Sequence, residues 1–181
     1  MNQAQYPGQL QGALGFSLEY GARWKVLVQN ASAIELESVS VNGDPYGGIV
    51  LIVRGARGGT AAALLADQKS RLRTAGVFDL TSILNDKSVD GRRFEVLSPA
   101  VGDADAVAGS GLYEGHLKTA QSVSVPIQVV MMSATKGGLS VIVTAVVDAR
   151  LVPFDTPPKQ QQVWSLVDTV LETFLWPGEL G

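Results

Sequence analysis

The closing stretch FDTPPKQQQVWSLVDTVLETFLWPGELG (Phe154–Gly181) predicts a helix with one apolar side. Thr156 is placed to cap it, and the Pro157–Pro158 pair falls in the first turn, where a missing N–H costs nothing. The Pro177–Gly178 pair predicts its end. Six apolar residues recur at helical spacing: Val163, Leu166, Val167, Val170, Leu171 and Phe174. Burying each contributes roughly 1.5–3 kcal/mol before conformational entropy is counted, so this stripe is expected to cover a sheet.

The two strands that precede this helix predict what it covers. Val123–Thr135 and Leu139–Asp148 form a hairpin through the turn Lys136–Gly138. Val129–Met132 and Val141–Val143 are apolar without alternation. An antiparallel strand with one solvated face alternates, so both faces of this hairpin are predicted to be covered.

Shorter elements complete the predicted fold. Thr60 precedes an amphipathic helix over Ala61–Ala75, in which Asp67 and Arg71 can pair at i,i+4. Its predicted inner face is Ala61, Leu64, Leu65, Gln68 and Leu72. The remaining predicted elements are strands at Phe16–Tyr20, Trp24–Val28, Ile34–Val39 and Ile49–Arg54, a hairpin of Thr81–Val89 and Arg92–Leu97 around Asp90-Gly91, a loop at Ser98–Ser110, and a strand at Leu112–Thr119.

These elements predict an α+β fold. We expect an αβα sandwich in which a mostly antiparallel sheet of about six strands is covered by a helix on each face. The length of 181 residues fits one domain over residues 15–181, with residues 1–14 as a flexible lead-in. That lead-in lacks the apolar core of a signal peptide, so two histories fit: a cytoplasmic protein, or a trimmed, exported, lipoprotein-like bacterial domain.

Charge and composition argue against several functions. The net charge is −3 and no run of Lys and Arg stands out, which argues against nucleic acid as a partner. The absence of cysteine excludes disulfides, thiol nucleophiles and Cys-ligated metals. No apolar run approaches the ~18 residues of a transmembrane segment.

The stretch Arg54–Thr60 has the order strand, glycine-rich loop, helix start, which suits an anion site. Arg57, Gly58, Gly59 and Thr60 are the candidate anion-binding residues. The stretch lacks the lysine of a phosphate loop, so the alternative is a tight connection followed by a helix cap.

No residue set predicts catalysis, a metal site or a cofactor. His116 is the single histidine and lies on a predicted strand, without a nucleophile and acid at a recognised spacing. Asp103 and Asp105 are two carboxylates without a ligand-dense loop. The carboxylates around the Asp90-Gly91 turn form no forced pair.

Three aromatic residues are candidates for contact with a partner: Tyr46, Trp164 and Trp176. Both tryptophans fall off the main stripe of the closing helix, and aromatic side chains at a rim are favoured in protein interfaces. The alternative is that Trp164 and Trp176 pack at the edge of the sheet.

Taken in order, the elements resemble the PsbP/Mog1/DcrB-like superfamily from about Gly15 to Trp176. The strand Gly15–Tyr20 followed by Arg23-Trp24 is similar to its "F-x-hydrophobic-x-Y-P-x-x-W" opening, with Ala22 in place of proline. The Val89–Phe94 turn is similar to its hairpin motif. The ending Thr173-Phe174 is similar to its "x-S-F" ending, with threonine in place of serine.

The resemblance implies an αβα sandwich, no shared catalytic residues, and a role as an accessory, scaffold or chaperone protein. Our first hypothesis is therefore a non-enzymatic domain that binds another protein. The alternative is a small anion- or nucleotide-binding protein that uses the glycine-rich loop before the first helix. A third hypothesis, an enzyme using His116, has the least support from the residues.

Overall fold

A computed structural model describes residues 8–11, 16–30, 32–74, 85–88, 106–118, 124–148 and 150–176. The elements within these ranges are β1 (Gly8–Gln11), β2 (Ser17–Tyr20), β3 (Trp24–Gln29), β4 (Ala33–Ser38), β5 (Ile49–Arg57), α1 (Ala61–Thr74), β6 (Asn85–Ser88), β7 (Ala106–Lys118), β8 (Ser124–Lys136), β9 (Leu139–Asp148) and α2 (Pro157–Leu171).

One antiparallel sheet dominates the described part of the chain. Its seven strands lie in the order β3-β4-β5-β9-β8-β7-β6, and each neighbouring pair is antiparallel. The α+β class and the antiparallel sheet between helices are confirmed. The expected strand number of about six is one short of the seven in this sheet.

The main difference in strand bounds lies in the middle of the chain. β7 begins at Ala106, inside the segment Ser98–Ser110 that the sequence predicts as a loop. The small residues there have little strand preference of their own, but Ala106–Ala108 pair with Ser133–Thr135 of β8, and this pairing decides the structure. β6 lies within the predicted strand Thr81–Val89 and pairs with β7. The predicted return strand, its turn and the remainder of the loop lie outside the described residues.

The two faces of β9 belong to two different apolar clusters. Val141, Val143, Ala145 and Val147 are buried in a cluster that contains the stripe of α2. Ile142 and Val146 are buried in a second cluster with Leu64 of α1. Because neighbouring residues of a strand point to opposite faces, the two helices lie on opposite sides of the sheet. The prediction that this hairpin is covered on both faces is confirmed.

Helix α2 has the predicted stripe and the predicted proline start. Val163, Val167, Val170 and Leu171 are buried, and Leu166 is half-buried. Thr156 occupies the N-cap position, but its side chain makes no capping hydrogen bond. The helix ends at Leu171, where bonds from Thr173 N–H to Val170 O and from Phe174 N–H to Leu171 O tighten the last turn.

The segment after α2 returns to the start of the domain. Leu175 exchanges backbone hydrogen bonds with Ser17 at 3.1 and 2.9 Å, and the rings of Phe174 and Phe16 stack with centroids 5.8 Å apart. The Thr173 hydroxyl accepts a bond from Glu19 N–H at 2.7 Å, so threonine keeps the hydroxyl of the serine in the "x-S-F" ending. β2 is also paired with β1, whose residues 8–11 belong to the segment predicted as a lead-in.

Helix α1 begins where the sequence predicts. Thr60 Oγ1 accepts a bond from Ala63 N–H at 3.1 Å and caps the helix. Ala61, Leu64 and Gln68 of its predicted inner face are buried, and Ser133 of β8 donates to Ala61 O at 2.6 Å. In the part of the chain that the structure describes, neither helix has the length and apolarity needed to cross a membrane.

Shortening a buried side chain of α2 is expected to destabilise the domain. Leu171→Ala should lower the free energy of unfolding by about 2–5 kcal/mol, because the cavity on the sheet cannot fully collapse. The matched control is Leu151→Ala, since Leu151 is 58% exposed, and we expect a change of about 0.5 kcal/mol or less. Urea titration followed by circular dichroism measures both. Equal losses would show that α2 does not cover the sheet.

Candidate functional site: the groove between α1 and β5

A groove of about 670 Å³ lies where α1 meets the sheet. α1 packs on β7, β8 and β9, and the sheet continues past it through β5 and β4 to β3. One wall of the groove is α1, through Leu64, Asp67, Gln68 and Arg71. The opposite face of the sheet carries the main core and α2, so among the described residues the α1 side is the one on which part of the sheet has no covering helix.

The register of the strands selects the side chains that form the floor. Ile52 of β5 lies opposite Glu35 of β4, and Arg54 lies opposite Ala33. All four line the groove. Their neighbours along β5, Leu51 and Val53, are fully buried on the core side. The alternation of one strand therefore places an arginine on the groove face in the middle of an otherwise apolar run.

Arg54 is the most buried cation of the groove. Its side chain is 12% exposed, and its Nη2 lies 2.6 Å from Asp67 Oδ2. Arg71 Nε lies 2.9 Å from the same oxygen, which confirms the predicted Asp67–Arg71 pair. Hydrogen bonds from Arg71, and to a smaller extent from Arg54, lower the pKa of Asp67. Among the described residues, Arg54 Nε is buried without a hydrogen-bond partner.

Sequence reasoning missed the role of Arg54, which it placed only at the end of the strand before the glycine-rich loop. The signal was present in the alternation of β5, because Arg54 falls in line with Val50 and Ile52 and not with the core residues Leu51 and Val53. The sequence could not show that Asp67 of α1 contacts Arg54 in the folded chain.

Of the four predicted anion-binding residues, Arg57 is the one that lines the groove. Arg57 is exposed, lines the groove with Arg54 and Arg71, and makes no ion pair with the described residues. Gly58 N–H donates to Gly138 O at 2.7 Å, and Thr60 Oγ1 is used by the helix cap. Gly58 and Gly59 both have φ near +72°, which glycine adopts without strain. The loop is thus built as a connection, and Arg57 alone of the four faces the groove.

The rim of the groove towards β3 is partly apolar. Val28 of β3 lies opposite Glu35 and is 36% exposed, and the adjacent Leu27 is 43% exposed. Burial raises the pKa of Glu35. Among the described strands, β3 is one end of the seven-stranded sheet, so its outer backbone edge is unpaired.

The hypothesis that Trp164 and Trp176 contact a partner is wrong for this structure. Their side chains are 4% and 2% exposed and pack in the main core. The Trp164 ring meets Phe154 edge-to-face at 5.1 Å, and Trp176 meets Phe174 at 5.2 Å. The alternative, that both tryptophans pack at the edge of the sheet, is closer to the structure, in which both are buried in the main core. Trp164 is buried although it lies off the main stripe, because Phe154 from the segment before α2 packs against its ring.

Tyr46 is half-buried against the same core. Its loop is held by Arg23, whose Nη2 lies 2.5 Å from Asp44 Oδ2. The hydrogen bond from Arg23 lowers the pKa of Asp44 to about 2. Tyr46 as a partner contact stays a prediction.

Few of the residues considered for catalysis or metal binding lie within the described residues. His116 lies on β7, opposite Pro126 of β8. Asp103, Asp105 and the Asp90-Gly91 turn lie outside the described residues. Within the ranges that the structure describes, no three carboxylate or histidine side chains form a group that could hold a metal.

Comparison with known proteins gives likeness in fold only. No family model and no curated protein sequence matches the chain. Similar solved structures include a protein from Bacteroides thetaiotaomicron, with a TM-score of 0.44, 8% identity, and coverage of 95% of this chain and 49% of that one. The chain thus spans about half the length of that protein.

Two other similar structures are of Mog1. The Ran-binding protein Mog1p of Saccharomyces cerevisiae has a TM-score of 0.48, 8% identity and 90% coverage of both chains. A point mutant of Mog1 has a TM-score of 0.47, with the same identity and coverage. Mog1 is named in the superfamily that the order of elements resembles. Because these TM-scores are below 0.5, we take no partner and no activity from the neighbours.

Removing the carboxylate shared by two arginines should destabilise the domain. We expect Asp67→Ala to cost about 1–3 kcal/mol, because Arg54 is then buried without its counter-charge. The matched control is Asp155→Ala, which removes an exposed i,i+4 pair with Lys159 and should leave the free energy of unfolding nearly unchanged. Urea titration at neutral pH measures the difference. An Asp67→Ala variant as stable as the control would contradict the assignment of Arg54 as a buried partner.

Proposed function

We propose that this chain is a non-enzymatic protein-binding domain, an accessory subunit or chaperone, whose contact surface is the groove and the adjoining face of β3, β4 and β5. One observation carries the proposal: the two faces of the sheet are unequally covered. Within the described residues, the α2 face is closed by the main core, whereas on the α1 face the sheet extends past the helix into a groove, next to which Leu27 and Val28 of β3 are exposed.

The construction of β3 supports binding through side chains. An unpaired edge strand invites non-specific strand addition, and proteins counter this with edge lysines and bulges. β3 has both, with Lys25 exposed and a register shift between Val26 and Val28. Because Lys25 and the bulge hinder the addition of another strand, a partner would bind here through side chains. The two exposed apolar side chains, Leu27 and Val28, suit a specific partner that covers them.

The electrostatics of the groove argue against Asp67 as an acid–base catalyst and leave Glu35 as the carboxylate to test. A general acid or base that works near neutral pH needs a pKa moved towards neutrality. The pKa of Asp67 is shifted away from neutrality, because hydrogen bonds from two arginines favour its ionised form. The pKa of Glu35 is raised, and burial is the cause. Turnover of any substrate by the pure protein that disappears in Glu35→Gln would overturn this part of the proposal.

A charge placed on the apolar rim is expected to weaken partner binding. Immobilised wild type, Val28→Lys and Leu151→Lys are incubated with native extract of the source organism, and the bound proteins are quantified by mass spectrometry. We expect a protein retained by wild type and Leu151→Lys to bind about tenfold more weakly to Val28→Lys, because an apolar contact is lost. Equal retention by all three proteins would contradict the assignment of this surface.

The second candidate function is binding of a small anion or nucleotide at Arg57, Gly58, Gly59 and Thr60. It is favoured by one observation, that Arg57 is exposed at the end of β5, just before the start of α1. The backbone of Gly59 would complete such a site, since Gly58 N–H and Thr60 Oγ1 already have partners.

If this second candidate is correct, Arg57→Ala should weaken binding of inorganic phosphate about tenfold, as expected for the loss of one charged contact. Isothermal titration of wild type and variant with phosphate measures the change. No heat of binding in wild type at millimolar phosphate would remove this candidate.

A further inference from the structure

We infer that the part of the α1 face that no described helix covers binds one amphipathic helix of the protein partner. This helix lies beside α1, above β5, and places a lysine or arginine against Glu35. The inference rests on the proposed function and deepens it, because it names the secondary structure and the charge that the partner must present. The glycine-rich loop of the anion candidate has no part in it.

The space beside α1 has the width of one helix. α1 packs evenly on β7, β8 and β9, so its axis lies above β8. β5 is the second strand beyond β8 in the sheet, and two strand spacings amount to about 9.5 Å. Packed helices have interaxial distances of about 8–10 Å. A helix laid against α1 is therefore centred above β5, whose residues form part of the floor of the groove.

The wall and the floor of the groove suit the apolar side of such a helix. Leu64, Gln68 and Arg71 line the wall at positions i, i+4 and i+7, so the groove follows α1 for two turns. The floor is apolar at Ile52, and the cross-strand row that starts there continues through Glu35 to Val28, which is 36% exposed. An apolar stripe on the ligand would cover this row.

Glu35 sets the charge that the ligand must bring. Its side chain is half-buried between Ile52 of β5 and Val28 of β3. Its carboxylate makes no hydrogen bond or ion pair with the described residues, and burial is the cause of its raised pKa. Lys25 of β3 lies opposite Glu37 and not opposite Glu35. A carboxylate that a partner buries further costs free energy unless a cation accompanies it, so the ligand needs a lysine or arginine at this point.

The arginine on the floor does not supply that cation. Arg54 lies opposite Ala33, one residue pair along from Glu35 on the same face, and its Nη2 is bonded to Asp67 of α1 at 2.6 Å. Arg54 is not a cause of the pKa shift of Glu35. The charges near α1 are thus paired within the domain, while the carboxylate on β4 is left for the ligand.

A helix fits this surface better than an extended strand. A strand would add to the outer backbone edge of β3, where exposed Lys25 and the register shift between Val26 and Val28 hinder pairing. A helix satisfies its own backbone hydrogen bonds and binds through side chains alone, which is the mode that a groove beside another helix favours.

The test is a selection of peptides on the whole immobilised chain. The probe is a library of random 16-residue peptides, long enough for a helix of about 24 Å. We expect enriched sequences with apolar residues at i, i+4 and i+7 and a lysine or arginine on the same side, and a synthetic copy that gains helical circular dichroism on binding. Enrichment of alternating apolar sequences, of sequences without a basic residue, or of none would overturn the inference.

Two glutamates provide matched variants. Glu35→Gln should weaken binding of an enriched peptide about tenfold, because one charge-assisted contact is lost. Glu172→Gln, at an exposed residue directly after α2, should leave it unchanged. Fluorescence anisotropy of the labelled peptide measures both affinities. Equal affinity of the two variants would contradict the role of Glu35.

Two further measurements locate the peptide. Replacing its basic residue by glutamine should weaken binding to wild type about tenfold and have no further effect on Glu35→Gln, as expected for a direct pair. On wild type, the peptide should shift the backbone amide signals of Ile52 and Gln68. Additive losses, or shifts confined to residues 58–60, would overturn the inference. If no helical peptide is selected while Val28→Lys still releases the partner, the inference is wrong and the proposed function stands without it.

Discussion

The pairing of β5 with β9 is the interaction on which the rest of the structure depends. It runs from Ile49 opposite Val147 to Arg57 opposite Leu139, and it continues in the bond from Gly58 N–H to Gly138 O. This register joins the strands from the first half of the chain to the long hairpin of the second half. Because α1 begins shortly after β5 ends, the same register fixes where the helix lies on the sheet. A shift of one residue would exchange the two faces and place Arg54 in the main core.

The two faces that this pairing creates differ in what covers them. On one face, α2 and the strand β2 close an apolar core in which Trp164 and Trp176 are buried. On the other face, α1 packs on β7, β8 and β9, and its outer side forms the wall of a groove whose floor is β4 and β5. The core face supplies stability, while the groove face carries the ion pairs of Asp67 with Arg54 and Arg71 beside exposed apolar residues. That division is why we place recognition on the α1 side.

The sequence predicted those parts of the fold in which local pattern and tertiary structure agree. The stripe of α2, the capped start of α1 and the doubly covered hairpin follow from spacing alone. β7 was predicted too short because Ala106–Ser110 lack strand preference and are ordered by their partners on β8. In the site, the Asp67–Arg71 pair is local and was predicted. The Arg54–Asp67 contact joins strand β5 to helix α1, so spacing along the sequence could not predict it. The burial of the two tryptophans depends on contacts with Phe154 and Phe174, which lie outside α2, and could not be derived from spacing either.

The central claim is that one antiparallel register builds both the core and the groove. Cross-strand nuclear Overhauser effects on isotopically labelled protein measure it directly. The account predicts contacts between the backbone protons of Val53 and Val143 and of Leu51 and Ala145, together with contacts from Arg54 to Ile142. A register displaced by one residue, contacts typical of parallel strands, or β5 paired with a strand other than β4 and β9 would contradict it.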